Sequence, residues 1–300
     1  MNALRRLGRA IDGWWRPEVP AERLAAFRIL VGLYGVVYLI IRTPFLMSYG
    51  RRNPVEWEPV GLATWLADPL PGWIGLTQPL LLPPLALAFT VGIAYRVVAP
   101  LYAALLLWVM TYSNSWGFIL HTDNMLTLHT LVLAAAPMAA DAWSVDARRR
   151  PPGPGRGAGS VGGRYGWPLM LAATACVLAY FLAGVAKIRH GGAAFFGGEN
   201  LRNYVAYDLV RKTELGSIST PIGEWLVSFP ALFGVLAWIS LGTELLAPLA
   251  VLERRIGKVW ALTAWGFHWG VLVVMAITFA YQMTAIAFAP FFRPERLVRR

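Results

Sequence analysis

Cysteine is almost missing from this chain. Cys176 stands alone, so no internal disulfide can form and no cysteine-based metal cluster exists. Charge is scarce as well. Charged residues make up 14% of the chain and hydrophobic ones 57%, which excludes an ordinary water-soluble domain. Acidic residues are scarcer than basic ones, 16 against 27, giving a net charge of +11. In a soluble protein that excess would point to nucleic acid. In so apolar a chain the positive-inside rule accounts for it, and no nucleic-acid partner is expected. Histidine occurs four times, and His121 and His129 are eight apart, not the four that would put two ligands on one helical turn. Metalloprotease, Walker and Rossmann patterns and a serine triad are all lacking, so neither metal nor nucleotide is expected. A cleavable leader is not expected either. The N-terminus is basic, but its first apolar run is long and has no small-residue cleavage site.

What is present is a series of apolar runs of membrane length. They fall at about 22–41, 77–95, 98–116, 120–139, 167–188, 227–251, 258–275 and 276–292. The expected fold is all-α, a polytopic integral membrane helical bundle of about eight transmembrane helices. The last two runs share one apolar stretch, which leaves a single long helix or a re-entrant segment open. Basic residues cluster in four places: Arg5, Arg6, Arg9, Arg16 and Arg23; Arg148, Arg149, Arg150, Arg156 and Arg164; Arg254, Arg255 and Lys258; and Arg293, Arg296, Arg299 and Arg300. Eight crossings put all four in the cytoplasm, with both termini.

The Gly/Pro-rich stretch within 147–165 is expected to be a flexible cytoplasmic linker inside one domain of residues 1–300. The outer loops, 42–76 and 189–226, carry Trp57, Trp65, Trp73, Phe195, Phe196, Tyr204, Tyr207 and Trp225, as interfacial or re-entrant segments do.

Polar side chains inside the apolar runs are the candidate functional groups. Arg28 lies in the first run, His121, Asp123, Asn124 and His129 in the fourth, Lys187 at the end of the fifth, Glu244 in the sixth and His268 in the seventh. An unpaired carboxylate would be costly there, so Glu244 is expected to contact Arg28 or His268. His129 reads as structural. On the fifth run Tyr180, Gly184 and Lys187 share one helix face. The alternation of crossings brings the outer end of the fourth run to the depth of Lys187, so a pocket with His121 or Asn124 across from Lys187 is expected. The plain alternative is that Lys187 only snorkels to headgroups.

Five segments together resemble the bacterial HTTM proteins, whose membrane domain is shared with vitamin K-dependent γ-glutamyl carboxylase. They are Ala25-Ala-Phe-Arg-Ile-Leu-Val-Gly32; His121-Thr-Asp-Asn124 with Trp143-Ser-Val-Asp146; Tyr180-Phe-Leu-Ala-Gly-Val-Ala-Lys187 with Gly198-Glu-Asn-Leu201; Thr243-Glu-Leu-Leu246; and Phe267-His268 with Thr278-Phe279. The resemblance covers most of the chain. It implies an epoxidase and carboxylase-like lyase in the bacterial inner membrane. Vitamin K hydroquinone or another reduced quinone is its implied cofactor, and Lys187 the base that deprotonates it. His121 or Asn124 would assist at the quinone oxygen, and Asp123, Tyr180, Gly184 and His268 would line the quinone. Arg28 and Glu244 would be structural. The implied partners are membrane lipids and a secreted peptide or protein substrate.

Two departures stand out. After Lys187 the chain runs Ile-Arg-His-Gly-Gly-Ala-Ala-Phe-Phe, where the family often has an acidic residue and a tryptophan. The large lumenal domain of the vertebrate enzyme has no counterpart after the last apolar run. A different peptide, or a different quinone-linked oxidation, is therefore as open as glutamate carboxylation. Two other classes remain: a maturation factor for a secreted peptide that uses no quinone, and a small-molecule or lipid binding or transport protein.

Overall fold

The computed structural model of the chain describes residues 2–117, 123–149 and 153–298. These are overwhelmingly helical. Among them, four helices are long and apolar enough to cross a membrane: Ala21–Arg51, Gly72–Val91, Tyr95–Asn114 and Gly163–Phe196. The pair Pro221–Val227 and Pro230–Leu245, bent by 110°, makes a fifth if it is one span. The chain divides into two compact units, Met1–Ala172 with Arg293–Arg300, and Ala173–Phe292. The division falls inside a long helix, not in the Gly/Pro-rich stretch.

In the first unit, α1 (Asn2–Trp15) leads through a two-residue strand β1 (Val19–Pro20) into α2 (Ala21–Ser48). Then follow α3 (Gly72–Thr77), α4 (Leu82–Val91), α5 (Tyr95–Asn114), α6 (Asn124–Ala134) and α7 (Val145–Arg149). Helix α2 packs closely on α4, because a methyl group at Gly32 would collide with Thr90. The expected linker is tied down at its far end. Residues Val161–Gly162 form β2, antiparallel to β1, the Gly159 amide donates to Glu22, and the Ala21 amide to the Ser160 carbonyl. Arg23 bonds Glu295 at 2.8 Å, which brings the tail to the start of α2.

Arg28 organises the core of this unit. It is fully buried, and its guanidinium donates to the carbonyls of Ala139 (2.7 Å), Ala142 (3.4 Å) and Trp143 (2.6 Å). Trp143 sits in the left-handed region with φ 49°, the turn that aims these carbonyls inward. Three residues on, the Asp146 carboxylate accepts the amides of Ala94 (3.0 Å) and Tyr95 (2.9 Å) and so caps α5. Gly92, with φ 66°, lies against both Ser144 and Arg28; a Cβ there would approach Arg28 Nη1 to 3.0 Å.

The second unit is built from α8 (Gly163–Phe196, kinked at Gly192), α9 (Glu199–Glu214), α10 (Pro221–Val227), α11 (Pro230–Leu245), α12 (Arg254–Met275) and α13 (Ala280–Met283). The first ten residues of α8 belong to the first unit. One face of α9 buries Val205 and Leu209 against Leu226 and Phe233, while Tyr204, Tyr207 and Trp225 stay exposed, as interfacial aromatics do. Glu253 caps α12, accepting the amides of Arg255 and Ile256, and these bonds hold its carboxyl below the ordinary range.

Three expected segments differ from what forms. The described part of the fourth run is the 11-residue α6, ended by Pro137 and too short to cross alone. The seventh run is a 22-residue helix, α12, that begins four residues earlier than expected. The eighth is no single helix. Helix α12 stops at Met275, Ala276 adopts φ 48°, and only the four-residue α13 and a 3-10 turn at Ile286–Phe291 follow. The reason is local capping. The Lys212 ammonium takes the carbonyl of Met275, and the Thr220 hydroxyl takes that of Val274 at 2.8 Å, so the last turn of α12 is satisfied where it stops.

Replacing Arg28 by alanine should destabilise the protein by about 3 kcal/mol or more, since three buried carbonyls lose a charged donor. Lysine should recover only part, because one ammonium cannot reproduce a planar fork. Thermal unfolding in detergent measures both, and an alanine variant with unchanged Tm contradicts the role given to Arg28.

Candidate functional site

Polar side chains of α8, α11 and α12 meet in the interior of the second unit. Tyr180, Gly184 and Lys187 follow one another on one face of α8, at spacings of four and three. Ser240 and Glu244, four apart, share a face of α11. The two faces meet at Gly184, where a Cβ would come within 2.9 Å of Glu244 Cβ and 3.0 Å of Leu245. The missing side chain is what lets the helices approach.

One turn beyond that contact, Lys187 Nζ donates to Glu244 Oε1 at 2.5 Å and to Ser240 Oγ at 2.8 Å. The rings of Phe195 and Phe267 lie 5.7 and 5.8 Å from the amine, within cation–π range. The two partners differ in access. The Lys187 side chain is 29% exposed and that of Glu244 only 5%. The amine is thus the reachable member of the pair, and the carboxylate lies behind it. Glu244 Oε2 is buried and has no hydrogen-bond donor among the described residues.

Two turns from Lys187 towards the start of α8, the Tyr180 hydroxyl and His268 Nε2 are 2.5 Å apart. Tyr180 stands edge-on to Trp260, whose indole donates to the Thr243 carbonyl at 2.8 Å and ties α12 to α11. His268 packs against Phe279 at 4.8 Å, and its Nδ1 is buried without a partner among the described residues. The arrangement is two hydrogen-bonded pairs of titratable groups, Lys187 with Glu244 and Tyr180 with His268, set in aromatic surroundings.

The expected partners of Glu244 were Arg28 and His268. The structure pairs Glu244 with Lys187 instead. Arg28 spends its guanidinium on carbonyls, and His268 meets Tyr180. Segment-four residues are in the first unit. His121 lies outside the described residues. Asp123 is buried and accepts from the Tyr38 hydroxyl, with Tyr34 stacked on Tyr38 at 5.5 Å. Asn124 opens α6 and is exposed. His129 is fully buried, its Nε2 3.3 Å from the Ala172 carbonyl and its ring edge-on to Phe27.

Sequence reasoning missed Ser240 as a third member of the lysine site. Its spacing of four before Glu244 was the available signal. Among the described residues, no three His, Cys, Asp or Glu side chains are grouped as a metal site requires. No family model, curated protein or solved structure matches this chain.

Gly184→Ala should destabilise the protein by about 1–3 kcal/mol, because the methyl group has no space against Glu244 and Leu245. A double-mutant cycle of Lys187→Met and Glu244→Gln should give a coupling of roughly 1–3 kcal/mol by thermal unfolding. Additive effects in that cycle contradict a working ion pair.

Proposed function

We propose that this protein is a multi-pass enzyme of the bacterial inner membrane that deprotonates a reduced lipid quinone with Lys187, as its resemblance to the HTTM and γ-glutamyl carboxylase domain implies. The observation that carries the reading is the Lys187 amine, reachable from outside the fold yet fixed by Glu244 and Ser240. The surroundings suit such a cofactor. Phe267 and Phe279, both partly exposed, offer aromatic surface to a flat ring beside the Lys187 amine and His268.

A bound hydroquinone supplies an acidic hydroxyl and a ring that oxygen can oxidise. The chain's own groups do the rest. Lys187 acts as a base only after giving up its ammonium proton, and Glu244 at 2.5 Å is placed to take it. Passing that proton within the pair leaves an amine and a carboxylic acid, two neutral groups, where charge is poorly solvated. Ser240 holds the amine in position during the exchange. Tyr180 and His268 share one further proton deeper in the cluster. The substrate that follows, a glutamyl peptide or another oxidisable group, comes from the resemblance alone.

The reading puts both termini in the cytoplasm, which needs an even number of crossings. Two contacts support an even number. The start of α2, the β2 segment before α8 and the Glu295 tail meet at one end of the first unit, and that end carries Arg16, Arg23, Arg164 and Arg293.

Lys187→Ala and Lys187→Arg should both abolish epoxide formation from reduced vitamin K while the protein still folds. Arginine fails because a guanidinium does not yield its proton at physiological pH. Full activity in the arginine variant removes Lys187 as the base. For topology, in a Cys176→Ala background, Ser217→Cys should react with an impermeant maleimide added outside intact cells and Gly155→Cys should not. Labelling of position 155 contradicts the orientation.

A further inference from the structure

The first helix, α1, belongs to the first unit and has a surface of its own. At about 100° per residue, Leu4, Leu7, Ile11, Trp14 and Trp15 fall on one side of it and Arg5, Arg6, Arg9 and Asp12 on the other. The apolar side is not buried in the fold. Leu4, Leu7 and Ile11 are exposed by 78%, 57% and 55%, and Trp14 by 37%. Asp12 is engaged by Arg16 at 3.4 Å, and among the described residues no ion pair involves Arg5, Arg6 or Arg9.

The position of α1 along the chain says what covers that face. Helix α1 ends at Trp15, and the apolar α2 begins at Ala21. The joint between them is clamped by the first turn of α8. A Cβ at Gly163 would come within 2.7 Å of the Arg16 carbonyl oxygen, and one at Gly166 would overlap Pro17. The joint therefore sits where two apolar helices of spanning length both begin, which is the level of the bilayer surface. An amphipathic helix leaving that level, with tryptophans at its near end and arginines opposite its apolar side, matches an interface between acyl chains and headgroups.

We infer that α1 is an interfacial membrane-binding helix that lays Leu4, Leu7, Ile11 and Trp14 into the bilayer and presents Arg5, Arg6 and Arg9 to anionic lipid headgroups. This rests on α2 crossing a membrane and not on the chemistry of Lys187, so either can fail alone.

The test uses the full chain with Cys176→Ala, reconstituted into phosphatidylcholine vesicles with and without phosphatidylglycerol. A fluorophore is placed at Leu7→Cys, Ile11→Cys or Gly13→Cys; nothing lies within 4 Å of a Cβ at Gly13. With phosphatidylglycerol, brominated acyl chains should quench positions 7 and 11 several-fold more than position 13, and aqueous iodide should do the reverse. Omitting phosphatidylglycerol, or combining Arg5→Gln, Arg6→Gln and Arg9→Gln, should reduce that contrast by at least half. Equal iodide quenching at all three positions overturns the inference, since the helix is then in water. Positions 7 and 11 shielded from both quenchers also overturn it, since a protein surface or a second copy then covers them. A contrast independent of lipid charge and of the three arginines overturns the headgroup part.

Discussion

A charge that cannot reach water has to be met by protein atoms, and this constraint shapes both units of the fold. Arg28 is one case of it. Its two terminal nitrogens, Nη1 and Nη2, are met because the backbone at Trp143 turns through a left-handed conformation and points three carbonyls at them. That turn places Asp146 where it caps α5, and Gly92 gives up a side chain so that Arg28 and Ser144 can come close. The cost of leaving any of these groups unmet in an apolar interior fixes the path of residues 139–146 more firmly than their propensities do. In the second unit the same constraint joins Lys187 to Glu244, and Lys212 to the end of α12.

The polar residues singled out from the sequence therefore divide between two physical roles. Arg28 and the Trp143–Asp146 segment hold backbone in place. Lys187 with Glu244, and Tyr180 with His268, form two hydrogen-bonded pairs of titratable groups, and Gly184 lies where α8 meets α11. Gly184 acts through its absence of bulk. It governs how near the carboxylate comes to the amine, and so whether the pair can exchange a proton at all.

Much of this was written in the sequence. The runs at 22–41, 77–95, 98–116 and 167–188 are long and apolar. The first and last fall within helical segments of spanning length, and the middle two overlap such segments but run two to four residues past their ends. The common face of Tyr180, Gly184 and Lys187 follows from their spacing. The partner of Lys187 did not follow, because adjacency in the chain favours the preceding helix, whereas Glu244 comes from α11, 57 residues on. The break after Met275 was hidden for a related reason. Its apolar run is continuous, and what ends the helix is a pair of side chains, Lys212 and Thr220, that lie 63 and 54 residues away along the chain. Single-residue patterns record what a segment prefers; they do not record which distant donor will reach its last carbonyl.

The bond between Arg23 and Glu295 joins residues 272 apart. At ribosomal speeds of roughly 5–20 residues per second, α2 waits on the order of 10–50 s after its own synthesis before that partner exists. The strand pair between 19–20 and 161–162 closes midway through the same interval. The base of α2 is thus fastened in two stages, first by the segment that opens α8 and last by the tail. During synthesis the first unit is completed by residues made on both sides of the second, so it cannot close before the second has left the ribosome.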